Sequence, residues 1–262
     1  PAIVGETGGM ILADGTADAP ITFTALDAEA TADETVDSDT DSDTGAAALG
    51  SRGKWGGLIL LGSAPTSVAT DTEVEGIVGH SYGGTDPADS SGVLRYVRVW
   101  HGGAVVGADN EINGITFAGV GSGTVVDHCE VAYNTDDGFE FFGGTVNVKY
   151  MSALFVKDDS FDSDQGYQGK GQFLFTMLGE QGNHGTEMDS KYDGTPRSFP
   201  QMYNALFVSQ LDQTVQSVSS DDTDLAVLRL REGTGGEFGN IIVTNNGYYG
   251  VYSSDCGTET RT

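Results

Sequence analysis

Asp136-Asp137-Gly138-Phe139-Glu140 recurs as Asp158-Asp159-Ser160-Phe161-Asp162, 22 residues further on. A short apolar segment precedes each copy: Val131-Ala132-Tyr133 in one, Leu154-Phe155-Val156 in the other. Glycine turns follow, at Gly143-Gly144 and at Gly166. A period in the low twenties, with short strands in each unit, suits one coil of a parallel β-solenoid, where every coil stacks on the next. Tyr203-Asn204-Ala205-Leu206-Phe207-Val208 echoes Tyr150-Met151-Ser152-Ala153-Leu154-Phe155-Val156, and residues 240–247 read as another turn of the same kind.

The rest of the chain agrees with strands. Helical periodicity is almost missing. Val-, Ile-, Phe- and Tyr-rich runs lie at 21–25, 58–61, 93–99, 112–117, 125–133, 146–156, 173–178, 225–230 and 241–243, separated by Gly, Asp, Asn and Ser. This is the strand signal with turn punctuation. The competing architecture is a β-sandwich or barrel, which needs hairpin turns; Asn113-Gly114 and Asn246-Gly247 are the best sites for them. The expected fold is all-β, a single-stranded right-handed parallel β-helix forming one domain over residues 1–262.

Composition narrows the function. The chain has 262 residues, with 12 Lys+Arg against 39 Asp+Glu and a formal charge of −27. Such an excess repels phosphates and anionic lipid heads, so nucleic-acid and membrane-surface partners are not expected. No run approaches the ~18 apolar residues of a membrane-spanning helix. A hydrophobic content of 38% is too rich for a disordered acidic tail. Acidic chains need counter-ions, and calcium outside a cell suits carboxylate oxygens; a halophilic or marine surface without specific ions is the alternative. The chain starts at Pro1 with no positively charged leader, so any signal peptide is expected to have been removed.

Residues 27–50 differ from the rest. They are Ala, Thr, Ser, Asp and Glu around Asp37-Ser38-Asp39-Thr40-Asp41-Ser42-Asp43, and read as an acidic insertion loop from an early coil. An EF-hand reading fails, since no Gly or Glu stands at the required loop positions. The loop is either a flexible acidic excursion or an irregular calcium site using Asp39, Asp41 and Asp43.

The motifs then resemble a known family. They are Gly53-Lys54-Trp55-Gly56-Gly57-Leu58-Ile59-Leu60-Leu61-Gly62, Ser91-Gly92-Val93-Leu94-Arg95-Tyr96-Val97-Arg98, Asn110-Glu111-Ile112-Asn113-Gly114-Ile115-Thr116-Phe117, Asp136 to Thr145, and Arg229-Leu230-Arg231-Glu232-Gly233. Over about residues 53–250 the chain resembles secreted bacterial proteins with a right-handed parallel β-helix, many of them predicted lipoproteins of unknown function. The resemblance implies a pectate-lyase-like architecture and an extracellular or bacterial cell-surface location. It carries no reaction over. Cys129 and the acidic insertion depart from the pattern.

The strongest candidate site is the stacked acidic ladder. Asp136, Asp137 and Glu140 lie on one coil, and Asp158, Asp159, Asp162 and Asp164 on the next. Glu187 and Asp189 are candidates for a third. If 22 residues make one coil, equivalent carboxylates sit about 4.8 Å apart. Carboxylates that close raise each other's pKa unless a cation lies between them. Calcium, with 6–8 oxygen ligands, would fit. The alternatives are a solvated acidic face with splayed side chains and a catalytic acid pair. β-Helices host pectate lyases and polygalacturonases, a fold-level analogy only. A hydrolase would draw its carboxylates from Asp136, Asp137, Asp158 and Asp159; a lyase would need calcium to neutralise a uronate, with Lys157 or Lys170 as the nearby base.

The remaining residues are less informative. His80, His101, His128 and His184 show no zinc spacing, and Gly119-Val120-Gly121-Ser122-Gly123 lacks the lysine and helix of a phosphate loop. Alternation points His128 and Cys129 to opposite faces. Cys129 and Cys256 are either disulfide-bonded to each other, free, or bonded to a neighbouring chain. Phe139, Phe141, Phe142 and residues 248–252 put one face into the core and leave the other as a possible platform for sugars or a partner subunit. Solenoid ends need caps, and no amphipathic cap helix is evident. The function expected is a secreted, calcium-stabilised structural or adhesive surface protein, polymerising end to end. A polysaccharide-binding or polysaccharide-degrading protein is the alternative.

Overall fold

Apolar side chains at alternate positions drive short extended segments, and the polar turns between them redirect the chain into coils. The computed structural model describes residues 1–26, 51–107, 111–179, 182–191, 194–209, 226–246 and 249–254. The first coil holds β1 (Ile3–Gly5), β2 (Ile11–Asp14) and β3 (Ile21–Phe23). The second holds β4 (Leu58–Leu61), β5 (Gly92–Arg95) and β6 (Val97–Trp100). β7 (Ile115–Ala118), β8 (Val125–Asp127) and β9 (Glu130–Ala132) form the third. β10 (Phe139–Phe142) and β11 (Asn147–Leu154) form the fourth, β12 (Phe161–Asp164) and β13 (Lys170–Met177) the fifth. β14 (Thr186–Met188) and β15 (Gln201–Val208) follow, then β16 (Ala226–Leu230) and β17 (Glu237–Thr244). β18 (Tyr249–Ser253) opens an eighth coil.

The strands stack into two sheets. One runs β1-β4-β7-β10-β12-β14-β16-β18. The other runs from β2 through β5, β8, β11, β13 and β15 to β17, with β3-β6-β9 joining it at β11. Every strand pair is parallel, and the register follows the repeat: Phe139 pairs with Phe161 and Glu140 with Asp162. This is a parallel β-helix without an α-helix among the described residues. Asn113-Gly114 is therefore no hairpin; it enters the parallel strand β7. Gly247 and the insertion at 27–50 lie outside the described residues.

Phe139, Phe141 and Phe161 fill the core, with ring stacks of 5.3 Å for Phe139–Phe161 and 5.2 Å for Phe117–Phe141. Phe142 faces the other way and is nevertheless buried. A long excursion between β4 and β5 folds over the first sheet and brings Val74 and Tyr82 against Ile59, Leu61 and Phe142. The aromatic alternation thus yields two cores at Phe139–Phe142 rather than one core and an exposed platform. Tyr249 remains exposed and stacks on Tyr252 at 5.3 Å.

The second sheet bends at one corner in each coil. Tyr96, His128, Tyr150, Phe173, Asn204 and Asn240 all take φ between 48° and 59° there. A left-handed non-glycine residue costs roughly 1–2 kcal/mol. Ring stacking offsets part of it: Tyr96–His128, His128–Tyr150 and Tyr150–Phe173 lie 4.4, 4.3 and 4.9 Å apart. Asn240 Nδ2 donates to Asn204 Oδ1 at 3.0 Å further down. These corners break the runs at 93–99 and 125–133 into two strands each. They also turn His128 outward while Cys129 stays in the core as a free thiol, its pKa pushed up to about 12 by burial. Cys256 lies outside the described residues.

Candidate metal centre

The turn that enters each strand of the first sheet repeats from coil to coil. Gly114 N–H donates to the Asp137 carbonyl at 2.9 Å, Gly138 to Asp159 at 2.8 Å and Ser160 to His184 at 3.0 Å. This backbone ladder holds Asn113, Asp137, Asp159 and His184 in one column on the outer side of the sheet. A second column follows the strands: Thr116 pairs with Glu140, Glu140 with Asp162, Asp162 with Glu187 and Glu187 with Arg229. Alternation puts this column outward because its neighbours Phe139, Phe141 and Phe161 point inward.

The columns converge on a cleft of about 150 Å³, joined by Asp136 and Asp158 from the turns and by Glu75 from the excursion after β4. Two carboxylate groups form in it. Asp136, Asp137 and Asp158 bring oxygens within 4.8 Å of one another, as do Asp137, Glu140 and Asp162. Among the described residues, no Lys or Arg lines the cleft. Asp137 Oδ1 accepts the Asp159 N–H at 2.9 Å, and Asn113 Nδ2 donates to Glu140 Oε2. Asp162 Oδ1 is sealed from solvent and meets no donor among the described residues.

Lower in the same ladder the protein supplies its own cations. Glu187 meets Arg229 at 2.7 Å and Arg231 at 3.2 Å, and Arg231 also reaches Asp189 at 2.5 Å. Asp159 Oδ1 accepts the His184 N–H at 2.7 Å and faces His184 Nδ1 at 2.8 Å. Asp159, His184 and Glu187 also form a group within 4.8 Å, in which Glu187 already meets two arginines.

Electrostatics follow the same division. Burial comes first in raising the carboxyls of Asp136, Asp137, Glu140 and Asp162 well above the ordinary range. Repulsion from like charge adds to it, most from Asp158, Asp162, Glu75 and Glu140 respectively. Burial also lifts Glu187 to about 8 and Asp189 to about 7, with Arg231 pulling both downward. The donors in the upper cleft are all hard oxygens, suited to a divalent cation. These acidic groups can bind a metal ion.

Six residues expected to share a site, Asp136, Asp137, Glu140, Asp158, Asp159 and Asp162, line one cleft. Asp164 does not join them. It pairs in register with Phe142, and its Oδ1 accepts the Gln165 N–H at 2.5 Å. Lys157 is exposed next to Asp158 in the chain, and Lys170 is exposed at the start of β13 in the other sheet. Asp39, Asp41 and Asp43 lie outside the described residues. Sequence reasoning missed Glu75, Asn113 and the two arginines. Asn113 and the arginines stand in the motifs at 110–117 and 229–233, whereas Glu75 left no signal.

A family model for a pectate-lyase-like β-helix domain matches residues 43–256. The chain belongs to the pectate-lyase-like β-helix family. Comparison with curated proteins finds no match. Comparison with solved structures finds none either. A pectate-lyase-like β-helix domain fits a surface or polysaccharide-related protein, and within this one the matched span covers the whole acidic cleft.

Proposed function

We propose that the protein is a secreted, calcium-stabilised structural or adhesive β-helix of the bacterial cell surface. The observation that carries this reading is the Asp162 carboxylate, with one oxygen sealed and unpartnered among carboxylates from two adjacent coils. Two like charges about 4 Å apart repel by roughly 4 kcal/mol at an effective dielectric of about 20. Calcium placed between coils would turn that repulsion into a clamp. Asp136, Asp137, Glu140, Asp158 and Asp162 would hold it, with Asp159 on the margin. The acidic 27–50 loop, through Asp39, Asp41 and Asp43, is proposed as a further calcium-binding segment.

The cleft's size favours a stabilising role over a catalytic one. About 150 Å³ is below the roughly 300 Å³ at which ligand pockets begin. A polysaccharide-binding or polysaccharide-degrading role, with Asp136, Asp158, Asp159 and Lys157 as its residues, is the second reading; the family's architecture favours it. End-to-end assembly is part of the first. Among the described strands, β1 and β18 end one sheet, and β2, β3 and β17 each have one unpaired edge in the other. Thermal unfolding with and without calcium tests the clamp, with electron microscopy for filaments. Unchanged stability in chelator, or turnover of a uronate glycan lost in Asp158→Ala, would overturn the proposal.

A further inference from the structure

We infer that the cleft is built for two divalent cations sharing Asp137, not for one. This rests on the reading of the cleft as a cation site. The two groups of oxygens differ in origin. Asp136 and Asp158 come from turns of successive coils, whereas Glu140 and Asp162 come from paired strands. Asp137 alone belongs to both. A carboxylate has two oxygens and about four lone-pair directions, so one side chain can bridge two ions.

Charge points the same way. Glu187 is answered by Arg229 and Arg231, as the ion pairs show, and Asp159 Oδ1 accepts the His184 N–H. Glu75, Asp136, Asp137, Glu140 and Asp162 line the cleft, and among the described residues no lysine or arginine lines it. One divalent ion would leave most of that charge uncompensated in a partly buried space, where repulsion is strong. The second group also holds the sealed, donor-free oxygen Asp162 Oδ1. An ion confined to the turn group would leave that atom unsatisfied, and burial without a partner is costly.

The experiment is calorimetric titration of the chelator-stripped full chain with calcium, together with metal analysis after desalting. Asp136→Asn removes a ligand of the turn group only, and Glu140→Gln one of the strand group only. Each is expected to bind one ion per chain fewer than the parent, and the double variant two fewer. Counting differences cancels any ion held elsewhere in the chain. If either single variant abolishes the same lone ion that the double variant lacks, the two-ion inference falls and the cation site stands. If the parent and the double variant bind equally, the cation reading itself falls. Circular dichroism confirms that each variant folds, and Asp162→Asn replaces Glu140→Gln if that variant does not.

Discussion

Glu140 on β10 stands in register with Asp162 on β12, two carboxylates facing each other across adjacent coils, and among the described residues no arginine or lysine lines the cleft between them. Their neighbour one coil further, Glu187, has Arg229 at 2.7 Å. One ladder therefore uses two kinds of charge compensation, and the protein's response to calcium should come from its upper half.

The first prediction concerns that half. Calcium at about 100 times its Kd should stabilise the fold by about 2.7 kcal/mol per site. For a chain of this size that is a rise in Tm of roughly 5–10 °C. The variant Glu140→Gln/Asp162→Asn should be more stable than the parent in chelator and gain less on adding calcium. Differential scanning calorimetry in the two buffers measures both effects; a parent that gains nothing from calcium would contradict them.

The second concerns pH without metal. Asp136, Asp137, Glu140 and Asp162 have folded-state pKa values raised by burial, and Asp189 and Glu187 are lifted to about 7 and about 8. A raised carboxyl pKa favours the protonated folded state. Its stabilising contribution is complete below the unfolded value of about 4 and is lost as pH rises through the folded value. In chelator, Tm should fall from pH 5 to pH 8, the reverse of the usual carboxylate trend. Saturating calcium should flatten that fall. A Tm that climbs with pH in chelator would refute this reading.

The third tests the arginine end. Arg229→Met removes the shorter of the two arginine contacts that buried Glu187 makes among the described residues, and breaking such a pair costs roughly 3–5 kcal/mol. Arg229→Met/Glu187→Gln should recover much of that loss, because no buried charge is left uncompensated. Urea denaturation of the two variants measures the difference.

The fourth addresses the bent corner. Tyr150 has φ 55° and stacks between His128 and Phe173, with Lys149 Nζ 5.0 Å from its ring centroid. Tyr150→Ala should lose the stacking and keep the left-handed strain. Tyr150→Gly loses the same stacking but relieves roughly 1–2 kcal/mol of that strain. Glycine should therefore be the milder substitution, opposite to the order inside an ordinary strand. Denaturation midpoints that rank alanine above glycine would show the corner to be unstrained.

The 22-residue repeat was enough to stack the β10 coil on the β12 coil. In a parallel stack each residue lies beside its equivalent one coil away, so Phe139–Phe161 and Glu140–Asp162 follow directly from their sequence offset. Corners were less legible. Tyr96 and His128 are non-glycine residues in a conformation their sequences do not announce, held there by ring stacking between coils.

Sequence alone therefore decided that carboxylates would be stacked, because periodicity translates into spacing without any long-range information. It could not decide how each is neutralised. Glu75 reaches the cleft from an excursion outside the repeat, and Arg229 reaches Glu187 across a 42-residue separation. Those approaches depend on how apolar side chains such as Tyr82 and Phe142 pack the excursion onto the sheet, and on a coil of unequal length. Only the assembled structure separates the carboxylates answered by arginine from those left for a cation.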